Sequence, residues 1–246
     1  MTERNLPTRS APPNFRDLGL YRGTGGRPMR RGRLFRSDHL GALDPVQIEA
    51  LGALGIGRVL DLRGDAERAT ALCALPGVQV HSLAIEPTVV QVLSALVQSG
   101  HALTPQDMVT HMCDTYRGFV RHNTHRFAEL FRHLLEASEP LVFHCTAGKD
   151  RTGFAAALIL LALEVPAPVV LHDYLLTNER LQPPTQSRFG LAPEVSAVLW
   201  RVQPEFLQAA FDAVDTDYGS VAAYLREGLG LGQSEHRELR RRYLEG

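Results

Sequence analysis

Apolar and polar positions divide this chain into short strands and longer helical stretches. Residues 33–37 have the pattern of a short strand. RVLDLR, at 58–63, reads as a buried strand whose polar end emerges at Asp61 and Arg63. A further strand is predicted over 78–85, where Val78, Val80 and Leu83 carry the apolar pattern, and another over PLVFHC at 140–145. Asp44 and Pro45 supply the N-cap and first helical position of a helix that runs to Leu54 and stops at Gly55. Between Glu86 and Glu139 the spacing becomes helical, over 89–97, 108–119 and 127–135, with Asn123 and Thr124 placed to cap the third helix. A polar loop follows the fourth strand, and an apolar helix starts near Arg151 with a core stripe over 154–163. From Pro166 onward the chain reads as helical, with a Pro-containing interruption over 181–193 and a charged amphipathic end over 235–244. The first dozen residues, rich in Pro, Ser and Thr, read as a tail.

Strands alternating with helices predict an α/β fold with a mainly parallel central sheet flanked by helices, and such sheets place ligands beyond the carboxyl ends of their strands. Asp61 and Cys145 both fall on that edge. The length of 246 residues suits one domain over 1–246. The helical stretch over about 86–139 exceeds what one crossover needs, so part of it is expected to form an insertion or lid.

Composition narrows the function classes. The chain has 26 basic and 27 acidic residues and a net charge of −1, without the overall positive charge of a nucleic-acid or polybasic membrane binder, so any anion site must be local. Three cysteines, Cys73, Cys113 and Cys145, fit neither a disulfide framework nor paired zinc-ligand spacing. The longest apolar run is about half the length of a membrane span, and the N-terminus lacks the apolar stretch of a signal peptide. The expectation is a soluble protein without stable membrane insertion, cytoplasmic by default, with export lacking a cleaved leader left open. The sequence leaves the oligomeric state undecided.

The chemistry concentrates in HCTAGKDRTG, 144–153, between an apolar strand and an apolar helix. His before Cys, Arg six residues after it, and both glycines in place is a combination expected by chance roughly once in 10,000 such chains. A short loop between strand and helix can curl so that successive backbone N–H groups face a phosphate, and Gly148 permits the curl. This makes Thr146, Ala147, Gly148, Lys149, Asp150 and Arg151 the candidate phosphate-binding residues. Arg151 offers a planar fork to two phosphate oxygens. Cys145 is the candidate nucleophile, since a helix N-terminus and an adjacent cation favour the thiolate of such a cysteine. His144 is placed to orient the loop, and Thr152 to donate its hydroxyl to the departing thiolate. Lys149 is notable because the other 25 basic residues are all Arg; from this loop position a lysine can reach outward toward substrate.

This segment resembles the phosphate-binding loop of the cysteine-dependent tyrosine and dual-specificity phosphatases. It is most similar to a bacterial branch with a Lys-Asp pair in the loop, some of whose mycobacterial members are secreted. NFRDLG (14–19), GRLFRSD (32–38) and DLRGDAER (61–68) are similar to that branch in order and spacing, so the resemblance spans about residues 14–180. It implies a phosphatase-like fold and a two-step hydrolysis of a phosphomonoester through a cysteinyl phosphate, with no cofactor and no metal. The implied partners are a phosphotyrosine protein or, through the same chemistry, a phosphorylated lipid or inositol phosphate; a catalytically dead phosphate-binding module is a third possibility, against which the pairing of Cys145 with Arg151 argues. Many relatives carry their proton donor in a Trp-Pro-Asp loop, and Trp200 has no such context. Two carboxyls stand as candidates. Asp150 lies in the loop, where a bound phosphate dianion favours the protonated form that an acid requires; Asp61 is the alternative donor, or else a partner of the loop arginine.

The remaining polar residues carry plainer readings. Cys73 and Cys113 read as packing residues, and the six arginines from Arg22 to Arg36 as a solvated stretch, with Arg36 and Asp38 near the pocket border. His122, His125 and His133 lack companions at metal-ligand spacing.

Overall fold

A computed structural model describes residues 10–86, 88–99, 102–182 and 190–246. Its sheet contains β1 (Arg16–Asp17), β2 (Leu34–Ser37), β3 (Arg58–Arg63), β4 (Gln79–Ile85) and β5 (Leu141–His144) in the spatial order β1-β2-β5-β3-β4. All neighbouring pairs are parallel except β1 with β2. The expected mainly parallel sheet is therefore present. In the central strand His144 stands in register with Ser37 on one side and Asp61 on the other, so β2 and β5 end level, β3 runs two residues further to Arg63, and Cys145 leaves the sheet between them.

Pleating separates two cores. Leu34, Leu60, Leu62, Leu141 and Phe143 join the larger cluster with the helices that follow, while Phe35, Val59 and Val142 join a smaller one with Phe15, Leu51 and Ile56. α1 (Pro45–Gly52) covers the smaller core, and its N-cap Asp44 forms a capping box with Gln47. α2 (Asp65–Thr70) follows β3 at the carboxyl edge of the sheet, and α3 (Thr88–Gln98) follows β4.

The two helices expected over 108–119 and 127–135 are one, α4 (Pro105–Glu136). Its buried stripe continues in phase from Tyr116, Phe119 and Val120 to Phe127, Leu130, Phe131 and Leu134, which gives the chain no reason to turn. Asn123 and Thr124 cap nothing: their side chains donate to the upstream carbonyls of Gly118 at 3.1 Å and Val120 at 2.5 Å inside the helix. Within the segment expected to hold an insertion or lid, α4 is thus a core helix.

α5 (Asp150–Ala162) is buried on nearly every face, as a run of small and aliphatic residues permits. Gly153 lets the Tyr174 ring pack close against the helix, because a Cβ would lie 3.0 Å from that ring and the ring would have to shift. α6 (Ala167–Leu175), α7 (Thr177–Arg180), α8 (Pro193–Trp200), α9 (Pro204–Tyr218), α10 (Val221–Ala223) and α11 (Gln233–Tyr243) complete the helical half. The expected interruption is seen at Leu181 and Gln182, and its residues 183–189 lie outside the described residues. The edge strand β4 departs from expectation at Val80, which is 47% exposed; Leu83 and Ile85 are its buried residues.

Candidate active site

The loop 145–149 joins the central strand to α5, and the partners of its carbonyls define its shape. Cys145 O faces His144 Nδ1 at 3.2 Å, and Thr146 O accepts from the His39 amide at 3.1 Å. Ala147 O accepts from Asn14 Nδ2 at 3.0 Å, while Gly148 O accepts from Asn14 Nδ2 and Arg36 Nη2, each at 2.8 Å. Lys149 O accepts from the Gly153 amide in the first turn of α5. Each carbonyl is thereby taken up by the protein. In a planar trans peptide the following N–H points the opposite way, so the amides of residues 146–150 face away from these partners. Gly148 makes the close approach possible: its φ is +65°, and a Cβ there would fall 2.3 Å from Ser37 O.

Arg151 is held at the side of the loop by Glu67. The two guanidinium nitrogens donate to the two carboxylate oxygens at 2.6 and 2.9 Å, and Nη1 also donates to Ile85 O at 2.9 Å. The same carboxylate accepts from Thr146 Oγ1 and, at 2.9 Å, from the Gly64 amide, so it ties α2, the loop and α5 together. Burial pushes the Glu67 carboxyl up, but the hydrogen bonds and charge of Arg151 outweigh it and hold it down at about 2. Burial lowers Arg151, yet Glu67 raises it above its ordinary value, so the guanidinium stays charged.

Several expectations change here. Asp61 was the expected partner of the loop arginine or an alternative proton donor, with Arg63 exposed beside it. Instead both are 2% exposed and bind each other, Arg63 Nη2 lying 2.7 Å from Asp61 Oδ2 and Nε 3.0 Å from Oδ1. Burial raises Asp61, and the Arg63 hydrogen bonds with the nearby His144 more than reverse this, leaving it below its ordinary value. His144 is pushed down to about 4 by burial, so it is neutral near pH 7; its Nδ1 faces an acceptor-only carbonyl and must carry the proton. Lys149 does not reach outward: it is 5% exposed, with Nζ 2.7 Å from Asp150 Oδ1. Asp150 also accepts from Tyr116 Oη at 2.9 Å, and Tyr116 meets Tyr174 Oη at 2.7 Å. Thr152 Oγ1 is buried and has no hydrogen-bond partner among the described residues, so no bond to Cys145 is formed. Arg36 is fully buried rather than solvated.

Glu67 lies inside the DLRGDAER segment, but sequence reasoning gave it no role. Its available signal was an acid in the first turn of a helix starting beyond a strand's carboxyl end. Asn14 lay in NFRDLG with the same silence, and Asp173 and Tyr116 had no signal at all. Among the described residues no group of three or more His, Cys, Asp or Glu side chains is placed to hold a metal ion, and no helix is long and apolar enough to cross a membrane.

The acid response of the fold follows from Glu67. Its folded value lies below the ordinary 4.5, so its contribution is fully present above pH 4.5 and lost as pH falls toward about 2. The contribution is at most about 3 kcal/mol. Denaturant melts along this acid range are expected to show wild type losing its advantage over Glu67→Gln; a constant difference would contradict it.

The site thus sets a buried cysteine at a strand end, before a loop whose carbonyls are engaged by the protein, beside an arginine held by a carboxylate. The sequence model of the tyrosine phosphatase family matches residues 8–245, and the chain belongs to that family. It is 36% identical over 242 residues to a tyrosine-protein phosphatase, so named, of Cupriavidus necator, covering 95% of this chain and 86% of the relative. It is 33% identical over 266 residues to the triple specificity protein phosphatase PtpB of Mycobacterium tuberculosis, covering 92% and 95%. Among solved structures, TpbA of P. aeruginosa matches with a TM-score of 0.36 and 18% identity, over 73% of this chain and 86% of its own.

Proposed function

We propose that this tyrosine phosphatase family member hydrolyses phosphotyrosine and related phosphomonoesters in two steps through a phosphoryl group carried on Cys145. The observation supporting this most is the outward engagement of every carbonyl from Cys145 to Lys149, which leaves the loop amides for an oxyanion. In the first step the Cys145 sulfur attacks phosphorus, an S–P bond forms, and the ester P–O bond breaks as the leaving oxygen takes a proton from the Asp150 carboxyl group. In the second, water attacks phosphorus, gives up a proton to the same carboxyl group, and the S–P bond breaks to release inorganic phosphate. Arg151 spans the equatorial oxygens in both steps.

Asp150 is the favoured proton donor. Both Asp61 oxygens are engaged by Arg63, and its value is depressed, the wrong state for an acid. Asp150 stands one residue from Arg151 with part of its side chain exposed. Aryl phosphates with leaving groups of increasing pKa test the assignment. Asp150→Asn is expected to lose about 100-fold on the poorest leaving groups and little on the best, whereas Asp61→Asn should lose equally on all. The reverse pattern would exchange the two roles, and no phosphate release by folded wild type would end the enzyme reading. The name of the mycobacterial relative motivates extending the panel to phosphoserine, phosphothreonine and phosphoinositide substrates. Lys149 must leave Asp150 before it can reach a second phosphate.

A further inference from the structure

We propose that Asn14 is a positioning residue for the phosphate loop, its amide holding the Ala147 and Gly148 carbonyls from behind so that the opposite amides aim at the phosphoryl group. The inference rests on the phosphatase reading above. Asn14 precedes β1, is fully buried, and reaches across 133 and 134 positions of sequence to its two loop acceptors, using both protons of Nδ2. Its other half does a different job: Oδ1 accepts from Arg16 Nη1 at 2.5 Å. The amide's orientation is thereby fixed, because flipping it would set oxygen against two carbonyls and nitrogen against a guanidinium.

Arg16 is itself anchored. Its Nε and Nη2 donate to Asp173 Oδ1 and O, both at 2.9 Å. Asp173 Oδ2 takes Arg36 Nη1 at 2.5 Å, and Arg36 passes Nη2 on to Gly148 O. Tyr21 Oη donates to Asp173 Oδ1 at 2.8 Å. This buried group therefore sets two guanidinium ions against the Asp173 carboxylate behind the loop, while Asp38 Oδ1 accepts from the Asn14 backbone amide at 3.1 Å. Asn14 is where that rigid group grips the loop.

Asn14→Asp separates the two jobs. The substituted carboxylate keeps an acceptor for Arg16 and offers it a counter-charge, which preserves the fold, but it cannot donate to the two loop carbonyls and stands against them. Its thermal midpoint is expected within about 3 °C of wild type or above it. kcat/KM for p-nitrophenyl phosphate should fall about 100-fold, and inhibition by vanadate should weaken alongside it. Asn14→Ala loses the donors without adding charge, and should show a smaller activity loss with a lower midpoint. An Asn14→Asp protein that is folded and within about threefold of an active wild type would overturn the proposal. So would one that melts far below wild type, since the two halves of Asn14 would then have no separable roles. An inactive wild type would instead defeat the phosphatase reading.

Discussion

Replacing Cys145 with Ser is expected to abolish turnover while leaving phosphate-ester binding in place. The oxygen keeps the shape of the side chain, and the loop carbonyls keep their partners, since none of them is the Cys145 side chain. Binding through the amides and Arg151 should therefore survive, with the affinity for a slowly turned-over ester within about threefold of wild type. Turnover should fall by at least about 10⁴-fold, because a hydroxyl is scarcely ionised near neutral pH and attacks phosphorus poorly. Steady-state rates together with direct binding titration check both halves. Substantial residual turnover would remove the sulfur from the chemistry, whereas loss of binding would make Cys145 a structural residue.

The second large effect is expected at Arg151. Its fork satisfies both Glu67 oxygens, and Nη1 reaches the Ile85 carbonyl as well. A lysine would offer one nitrogen in place of this planar set, and could not hold Glu67 and bridge two phosphoryl oxygens together. Arg151→Lys is expected to cost about 3 kcal/mol or more of transition-state stabilisation, roughly a 150-fold fall in kcat/KM. A variant within about threefold of wild type would show that the guanidinium is not the phosphoryl clamp.

What the sequence disclosed of this site was local, and what it concealed was long-range. The strand, loop and helix around Cys145 are contiguous, and the apolar runs on either side of 145–149 place them at a sheet edge without further information. RVLDLR likewise announced β3. Its polar residues misled, because alternation cannot distinguish a carboxylate that emerges into water from one buried against an arginine two positions away; Asp61 and Arg63 satisfy each other. Arg151 shows the same limit, since its partner lies 84 residues earlier and only folding brings it close. Asp173 is more remote still from Arg16 and Arg36, and nothing in an apolar helix such as α6 distinguishes a buried acid from an exposed one. The division of α4 into two helices failed for another reason. Asn123 and Thr124 favour caps by type, but their side chains found acceptors in the preceding turn, and tertiary burial of the continuous stripe outweighed the local preference.

The central claim is that the phosphoryl group passes through Cys145. Wild-type protein mixed with a radiolabelled aryl phosphate, acid-quenched within the first turnover and digested, tests it directly. The expected result is label on the peptide carrying Cys145 in proportion to active sites, absent from Cys145→Ser. Phosphate released at the wild-type rate with no label on protein, or with label on another residue, would contradict it.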